Sequence, residues 1–511
     1  MDSHAPKPGA PAASTSDLPS APLESLIAQR RENLKRLTDQ GINPYPYSYA
    51  RTHSVAALLK EYAAAALPEH GSDQVVRTAG RILTVRDMGK SCFAHIMDGS
   101  ARLQIYVKKD VVGENIYKLF QKDIDLGDFV GVEGTMFRTK TQELTLRVSS
   151  LTLLAKSLRP LPEKFHGLKD VETRYREREM DLVSNPEILE LFARRSQLIH
   201  SLRKTLHDEG FLEVETPLLQ AQAGGAAARP FQTFHNTLQR NLYLRIALEL
   251  HLKRLLVGGI DRVFEIGRVF RNEGVDTMHN PEFTLLEAYQ AYADYNDMMQ
   301  LTEKLITQAA TATGSHEITL HGKPVSLKPP FARVGMTDLL KKHAGVDVIQ
   351  AWHDGRLRQI AKDLNLPVED RTPDHKVFDR IFDAKVKPHL WQPTFVLDYP
   401  IEISPLAKKH RSQPGLVERF ELFIAGDEVA NAYSELNDPI DQRERMEKQA
   451  ALKQKGDEEA EIADESFLVA LEHGMPPAGG LGIGVDRLAM LLLGQTSIRE
   501  IILFPLLKPE S

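Results

Sequence analysis

Two arginines about two hundred residues apart carry the most chemistry in the chain. Arg271 lies in the run FEIGRVFRNEG (264–274), where alternating apolar residues predict a strand that ends in a short loop. A second strand, EFTLLE (282–287), follows it. Arg487 closes the glycine-rich GIGVDR (482–487) and opens the apolar helix RLAMLLL (487–493). A guanidinium is permanently charged and planar, and its fork of donors matches carboxylate and phosphate oxygens. One arginine after a strand is usually a surface ion pair. Two in these contexts, in this order, suit a bent nucleoside triphosphate. Glu421 and Glu428 lie seven residues apart in two strand-like runs joined by Gly426 and Asp427. Such a hairpin can turn both carboxylates toward one Mg2+, which takes few protein oxygens and keeps phosphates and waters as its other ligands. From the residues alone, two exposed glutamates on a hairpin are the commoner outcome.

The elements that must hold these groups need room, and 511 residues suffice for two or more domains with full cores. An apolar content of 42% and a charged content of 26% are ordinary for a soluble globular protein. The net charge of −6 argues against non-specific coating of nucleic acid. Residues 75–182 are nevertheless mildly basic, with 19 Lys or Arg against 15 Asp or Glu. Cys92 is the only cysteine, which excludes an internal disulfide, a CxxC zinc site and a thiol pair. Its strand-like setting beside Ser91 and Phe93 predicts a core thiol, and a reducing cytoplasm is its natural home. No apolar run approaches the roughly 18 residues of a membrane span. The N-terminus has no secretory signal pattern, and Asp2 and Asp17 with no early arginine speak against a transit peptide.

Residues 1–22 are rich in Pro, Ala and Ser and are expected to be disordered. From Leu23 an amphipathic helix is predicted up to Gly41, with Arg30, Arg31, Lys35 and Arg36 on its polar face, where RNA contact and plain solvation are equally open. Five strands at 75–85, 91–98, 101–107, 129–137 and 144–154, with a helical piece near 111–121, fit an OB-fold barrel. The helix and barrel together span 23–157, and LRPLP opens a connector over 158–185. A helix at 186–209 then leads into FLEVETP (211–217), whose proline favours a sheet edge or an interface.

The two arginine segments resemble motifs 2 and 3 of the class II aminoacyl-tRNA synthetases, at about 262–287 and 478–494. The helix, strand and proline resemble motif 1, at about 195–219, which in that class builds the dimer contact. GGAAARPF (224–231), HNPEFT (279–284), AYADY (291–295) and NAYSELND (431–438) look like the class II lysyl-tRNA synthetase family, and no HIGH or KMSKS motif of the unrelated class I form occurs. The resemblance covers about 23–509. It implies an α+β protein in which an OB-fold barrel precedes a catalytic domain, 186–511, built on a mostly antiparallel sheet flanked by helices. The activity implied is ATP-dependent attachment of L-lysine to tRNA(Lys) through a lysyl-adenylate, by a cytoplasmic homodimer that uses Mg2+ and binds no membrane.

Carried onto this chain, the resemblance assigns Arg271 to the substrate carboxylate and α-phosphate, and Arg487 to the γ-phosphate. Phe283 would stack on adenine, with Glu273, His279, Asn280 and Glu421 also on the nucleotide, and Glu421 and Glu428 on the metal. Gly225 and Glu249 would take the α-amino end of lysine and Asn431 would sit beside its carboxylate. Glu287, Tyr289 and Glu435 would form the far anionic end, with Tyr433 and Gly482 in the same pocket. The related aspartate enzyme is expected to carry an arginine at the position of Glu435, so the sign of the pocket favours an ε-ammonium. On the barrel, Phe93, Gln104 and Glu143 would read a uridine-rich anticodon by stacking and base-edge bonds; a strand phenylalanine taken alone is more often core, and periodicity does not decide between the two. Three departures stand out: Leu248 where proline is expected, Ala430 where glycine or another small residue is usual, and Glu179 in place of an aromatic. A regulatory paralogue would be expected to lack one of Arg271, Glu421, Glu428 or Arg487, and the short paralogue that modifies an elongation factor lacks the barrel.

Overall fold

The computed structural model describes residues 22–65, 67–68, 71–162, 168–314, 316–369, 372–454 and 463–509. Apart from Pro22, the extension expected to be disordered lies outside them. The chain divides into two compact units, Met1–Lys169 and Asp170–Ser511.

In the first unit a helix, α1 (Leu23–Asp39), precedes five strands: β1 (Val75–Asp87), β2 (Ser91–Met97), β3 (Arg102–Lys108), β4 (Phe129–Arg138) and β5 (Leu144–Ala155). They pair in the ring β1-β2-β3-β5-β4 and close through β1 against β4, with β3 and β5 the one parallel pair. Period-two alternation drives the closure, because side chains of a strand alternate between its faces. Cys92, Ala94 and Ile96 are buried inside, while Phe93 and His95 of the same strand are half-buried on the other face. The expectation of a core thiol holds. The basic face of α1 is partly consumed by folding: Arg30 is buried and donates to the carbonyls of Leu126 (2.8 Å), Ser157 (3.1 Å) and Arg159 (2.9 Å). Arg36 pairs with Asp123 at 2.9 Å.

The second unit is built on an eight-stranded sheet, with a three-stranded and a two-stranded sheet beside it. The strands of the eight-stranded sheet are β6 (Leu212–Glu213), β7 (Arg262–Phe270), β8 (Glu282–Ala291), β9 (Ala332–Gly335), β10 (Thr394–Pro400), β11 (Leu416–Ile424), β12 (Asp427–Ser434) and β13 (Ala478–Gly484). They lie in the order β9-β10-β11-β12-β13-β8-β7-β6, antiparallel except at the two edge pairs, β9 with β10 and β6 with β7. The helices that matter for the site are α2 (Pro186–Asp208), α3 (Glu249–Val257), α4 (Tyr295–Thr313) and α5 (Val485–Leu492). Helix α2 starts with proline at its first position, where the missing N–H costs nothing, and packs on α4 over one side of the sheet. An Asp294–Asp297 capping box fixes the start of α4, and a left-handed Gly314 ends it. Of the stretch read as a connector, residues from 170 onward belong to this unit as two short helices, Val171–Arg176 and Arg178–Ser184. Arg178 there is fully buried, donating to Asp181 (2.6 Å) and to the Leu503 and Arg499 carbonyls (2.9 Å each).

Candidate active site

The site begins with glycines. On β13, Gly480, Gly482 and Gly484 share one face, and β8 and β12 flank that strand on its two sides. Gly482 lies between Glu287 and Asn431 in register, and Gly480 between Tyr289 and Tyr433. With no side chains on the middle strand, its neighbours face each other across a trench. A cavity of about 350 Å³ occupies it. Glycine is required at 480: a Cβ there would come 1.9 Å from Glu435 Oε1 and 2.6 Å from the Tyr289 ring. Gly225 closes the trench with a φ of +87°, and a Cβ would press on Ala247 and Glu249 at 3.2 and 3.3 Å.

Arg271, Glu273, His279, Asn280, Phe283 and Arg487 line one end of this cavity. Strands β7 and β8 pair from Arg262 with Gln290 to Phe270 with Glu282, so the loop between them carries Arg271 to the trench rim. Arg271 lies with its guanidinium carbon 5.1 Å from the Phe283 ring centre. It makes no side-chain hydrogen bond or ion pair among the described residues, and its Nε is buried without a partner. Burial lowers its pKa, as does Arg487, against the pull of Glu273, Glu428 and Glu287. Arg487 is anchored by a 2.8 Å bond from its Nη1 to the Glu428 carbonyl. Asn280 donates to the Glu282 carbonyl at 2.6 Å, while its Oδ1 is buried and unpartnered.

Glu249, Glu287, Tyr289, Tyr433 and Glu435 line the other end, and all three carboxylates are buried. All three have partners, but only two have both oxygens engaged. Glu249 accepts from Tyr433 Oη (2.7 Å) and from Lys253 Nζ (2.5 Å). Glu287 accepts from Tyr289 Oη (2.9 Å) and from the Leu248 N–H (3.1 Å). Glu435 touches Lys253 through Oε2, and its Oε1 has no hydrogen-bond partner among the described residues. Burial pushes the Glu287 carboxyl up to about 7, helped by the charge of Glu249. Burial likewise raises Glu435 well above the usual carboxylate range, against the pull of Lys253. Burial works against the Lys253 ammonium, but Glu249 and Glu435 outweigh it and hold its pKa up at about 12. The free pocket therefore has more carboxylates than cations, and Glu287 and Glu435 are harder to ionise than ordinary carboxyls.

Of the residues singled out in the sequence for nucleotide, metal and lysine, all but Glu421 line this cavity. Glu421 lines an adjoining cavity of about 600 Å³ that shares Glu428, Asn431 and Tyr433 with the first. Its oxygens accept from Arg419 (2.6 Å) and Tyr399 (3.0 Å), and burial together with Glu428 pushes its carboxyl up to about 7. Arg419 also donates to Asn431 Oδ1 at 3.1 Å, which fixes that amide. On the barrel, Phe93 stacks on Tyr106 with ring centres 4.7 Å apart, Gln104 donates to Glu143 at 2.9 Å, and Thr145 donates to Gln104 at 2.8 Å. Of the three barrel residues named from sequence, Phe93 and Gln104 thus lie on the paired strands β2 and β3, Glu143 lies on the turn from β4 into β5, and Tyr106 joins them.

Sequence reading missed Lys253, Tyr399, Arg419 and Asp486. Asp486 accepts from the Thr284 N–H (2.7 Å) and from Arg195 (2.6 Å), tying α5 to β8 and α2. A signal was present for Lys253, which stands four residues after Glu249 on one helix face, and for Arg419, two residues before Glu421 on one strand face. The three departures resolve differently. Leu248 supplies the N–H that Glu287 accepts, a donor that a proline lacks. Ala430 is buried and lines the cavity, whereas Glu179 is exposed on the helix Arg178–Ser184.

Residues 170–508 match the family model for class II tRNA synthetases (D, K and N), and residues 76–154 match that for the OB-fold nucleic acid binding domain. The chain is 52% identical over 489 residues to the lysine–tRNA ligase of Carboxydothermus hydrogenoformans, covering 96% of this chain and 99% of that one. It is 52% identical over 486 residues to the lysine–tRNA ligase of Moorella thermoacetica, covering 95% and 98%. For the lysine–tRNA ligase of Nostoc sp. the identity is 51% over 496 residues, covering 95% and 88%. With that identity along almost the whole length, the chain belongs to the class II tRNA synthetases, among the lysine–tRNA ligases.

Proposed function

We propose that the chain attaches L-lysine to tRNA(Lys) in two steps. A lysine carboxylate oxygen attacks the α-phosphorus of ATP, forming lysyl-adenylate and releasing diphosphate. A terminal ribose hydroxyl of the tRNA then attacks the lysyl carbonyl and AMP leaves. The nucleophile of the first step is already an anion, so the site has to position groups and compensate charge rather than remove a proton. Arg271, with no ion pair of its own, bridges the lysine carboxylate and the α-phosphate, and Arg487 holds the γ-phosphate. Phe283 stacks on the adenine while Glu273, His279 and Asn280 hold the nucleotide, with Glu421 at its edge. Glu249 and the Gly225 backbone take the α-ammonium, Asn431 lies beside the carboxylate, and Gly482 leaves the space between them open. The observation that carries the lysine reading is the unpartnered Oε1 of buried Glu435, at the end of the cavity beside Gly480 and Tyr289.

Glu421 and Glu428 suit Mg2+, since the Glu428 charge raises the cost of ionising buried Glu421 and a cation relieves it. When bound, the ion neutralises phosphate charge. Phe93, Gln104 and Glu143 contact the anticodon, with Phe93 stacking on a base. The protein acts as a homodimer through the region of motif 1, where Leu212, Leu218 and Leu219 leave apolar side chains about half exposed. Buried Cys92 suits a reducing cytoplasm, and no described helix is long and apolar enough to cross a membrane. The test is amino-acid-dependent ATP–diphosphate exchange with lysine, aspartate, asparagine, ornithine and β-lysine offered separately. Exchange with lysine alone is the expected result. Exchange with a different amino acid overturns the pocket assignment, and silence with all five overturns the activity.

A further inference from the structure

Lys253 is fully buried, lies behind the cavity wall, and holds Glu249 and Glu435 from one ammonium. Its Nζ also sits 5.5 Å from the centre of the Tyr433 ring, whose hydroxyl donates to the second oxygen of Glu249. Four residues separate Lys253 from Glu249 on α3, so the helix itself sets their contact. A buried cation this close to the substrate groups is costly unless it balances charge.

The charges can be counted. Glu249, Glu287 and Glu435 are the buried carboxylates at the amino-acid end, and Arg271 is the unpaired guanidinium at the other. Lysine brings two ammonium groups and one carboxylate. Arg271 matches the carboxylate. Three protein carboxylates against two ammonium groups leave one surplus negative charge, and Lys253 cancels it. With lysine in place every buried charge then has an opposite. Without Lys253, one carboxylate must stay protonated or stay unpaired in a low-dielectric site.

We propose that Lys253 is a resident counter-ion that sets the charge of the amino-acid pocket to match a substrate with two ammonium groups, and so is a positioning and specificity residue of the lysine site. The inference rests on the lysine reading above. It also accounts for the raised carboxyls of the free pocket. Before the substrate arrives, one cation faces three carboxylates, and burial with their mutual repulsion makes Glu287 and Glu435 harder to ionise than ordinary carboxyls.

The test compares Lys253→Gln, Glu287→Gln and the double variant of the full chain by lysine-dependent ATP–diphosphate exchange. Glutamine at 253 keeps donors for both carboxylates but removes the charge, so a purely geometric role would survive it. Charge matching predicts that Lys253→Gln raises the KM for lysine about tenfold or more while the KM for ATP changes by less than about twofold. Glu287→Gln alone is expected to raise the lysine KM as well. In the Lys253→Gln background, however, Glu287→Gln restores the count and should lower the lysine KM by about threefold or more, an opposite sign that packing does not produce. An unchanged lysine KM in Lys253→Gln, or a Glu287→Gln effect of the same sign in both backgrounds, overturns the proposal. If Lys253→Gln proves insoluble, the double variant is expected to fold, because the surplus charge is what destabilises the single one; an insoluble double variant also overturns it. Wild-type protein silent with lysine would instead defeat the lysine reading itself.

Discussion

The barrel and the catalytic sheet follow the same period-two rule, yet they place their recognition groups in opposite environments. On the barrel, alternation fills the interior with Cys92, Ala94 and Ile96 and leaves Phe93 and Gln104 half-exposed outside. On the sheet, the glycines of β13 withdraw side chains from a row, and the carboxylates of Glu287 on β8 and Glu435, just past the end of β12, are buried beside it. Exposed polar groups are screened by water and contribute little to stability, whereas buried charges act strongly on one another. The barrel can therefore be altered with little effect beyond recognition. The trench cannot be altered without changing its charge balance.

The largest expected effect tests the trench at its least compensated group. Arg271→Ala should cut adenylate formation by on the order of 10³-fold, because it removes a preorganised charge at the reacting phosphate. Its guanidinium has no ion pair to lose, so the thermal midpoint should hold or rise. Diphosphate exchange and thermal unfolding measured on one preparation decide it; substantial exchange would remove Arg271 from its role. Glu435→Gln comes next, with a lysine KM raised on the order of 100-fold and an unchanged ATP KM, as expected when a buried charged partner is lost. Equal changes in both constants would place Glu435 outside the lysine pocket.

On the barrel the expected effect is smaller and confined to one substrate. Phe93→Ala should raise the KM for tRNA about tenfold, from the loss of about 1–3 kcal/mol of base stacking, and leave adenylate formation unchanged. Equal loss of both activities would contradict the contrast between the two regions.

How much of this was legible in the sequence follows from which signals are local. The barrel strands could be placed because period-two alternation and turn glycines are local, and β2, predicted at 91–98, runs Ser91–Met97. Motif spacing placed Arg271, Glu287, Asn431 and Arg487 in one family pattern, and the structure brings them to one cavity. Periodicity left Phe93 undecided, since an aromatic in a strand can be core until the opposite face of the same strand is seen to be filled. The row Glu287–Gly482–Asn431 was illegible, because it is made by strand pairings between segments about two hundred and about fifty residues apart. Arg419 and Lys253 were missed for a related reason: a charged residue in an apolar run shows its purpose only when its partners are known.

Proton linkage probes the same charge balance more gently. The free folded protein keeps a proton on Glu287 up to about pH 7, whereas lysine favours the carboxylate. Binding must therefore expel the Glu287 proton around pH 6–7, and affinity for lysine should rise several-fold with pH through that window. Calorimetry in buffers of different ionisation enthalpy reads the protons released. Binding that takes up protons, or none, would show the carboxylates to be ionised beforehand.

The smallest expected effect isolates one hydrogen bond. The Leu248 N–H donates to Glu287 at 3.1 Å and favours its ionised form. Leu248→Pro removes that donor and draws φ from −102° toward about −65°, a change tolerated at the start of a helix. Glu287 should then hold its proton to higher pH, so the rise of lysine affinity moves upward by up to about one pH unit. Above that range both proteins have an ionised Glu287 and their lysine KM values should converge. A difference that persists at high pH would mean that Leu248 acts through the position of Glu249 on α3 and not through the proton of Glu287.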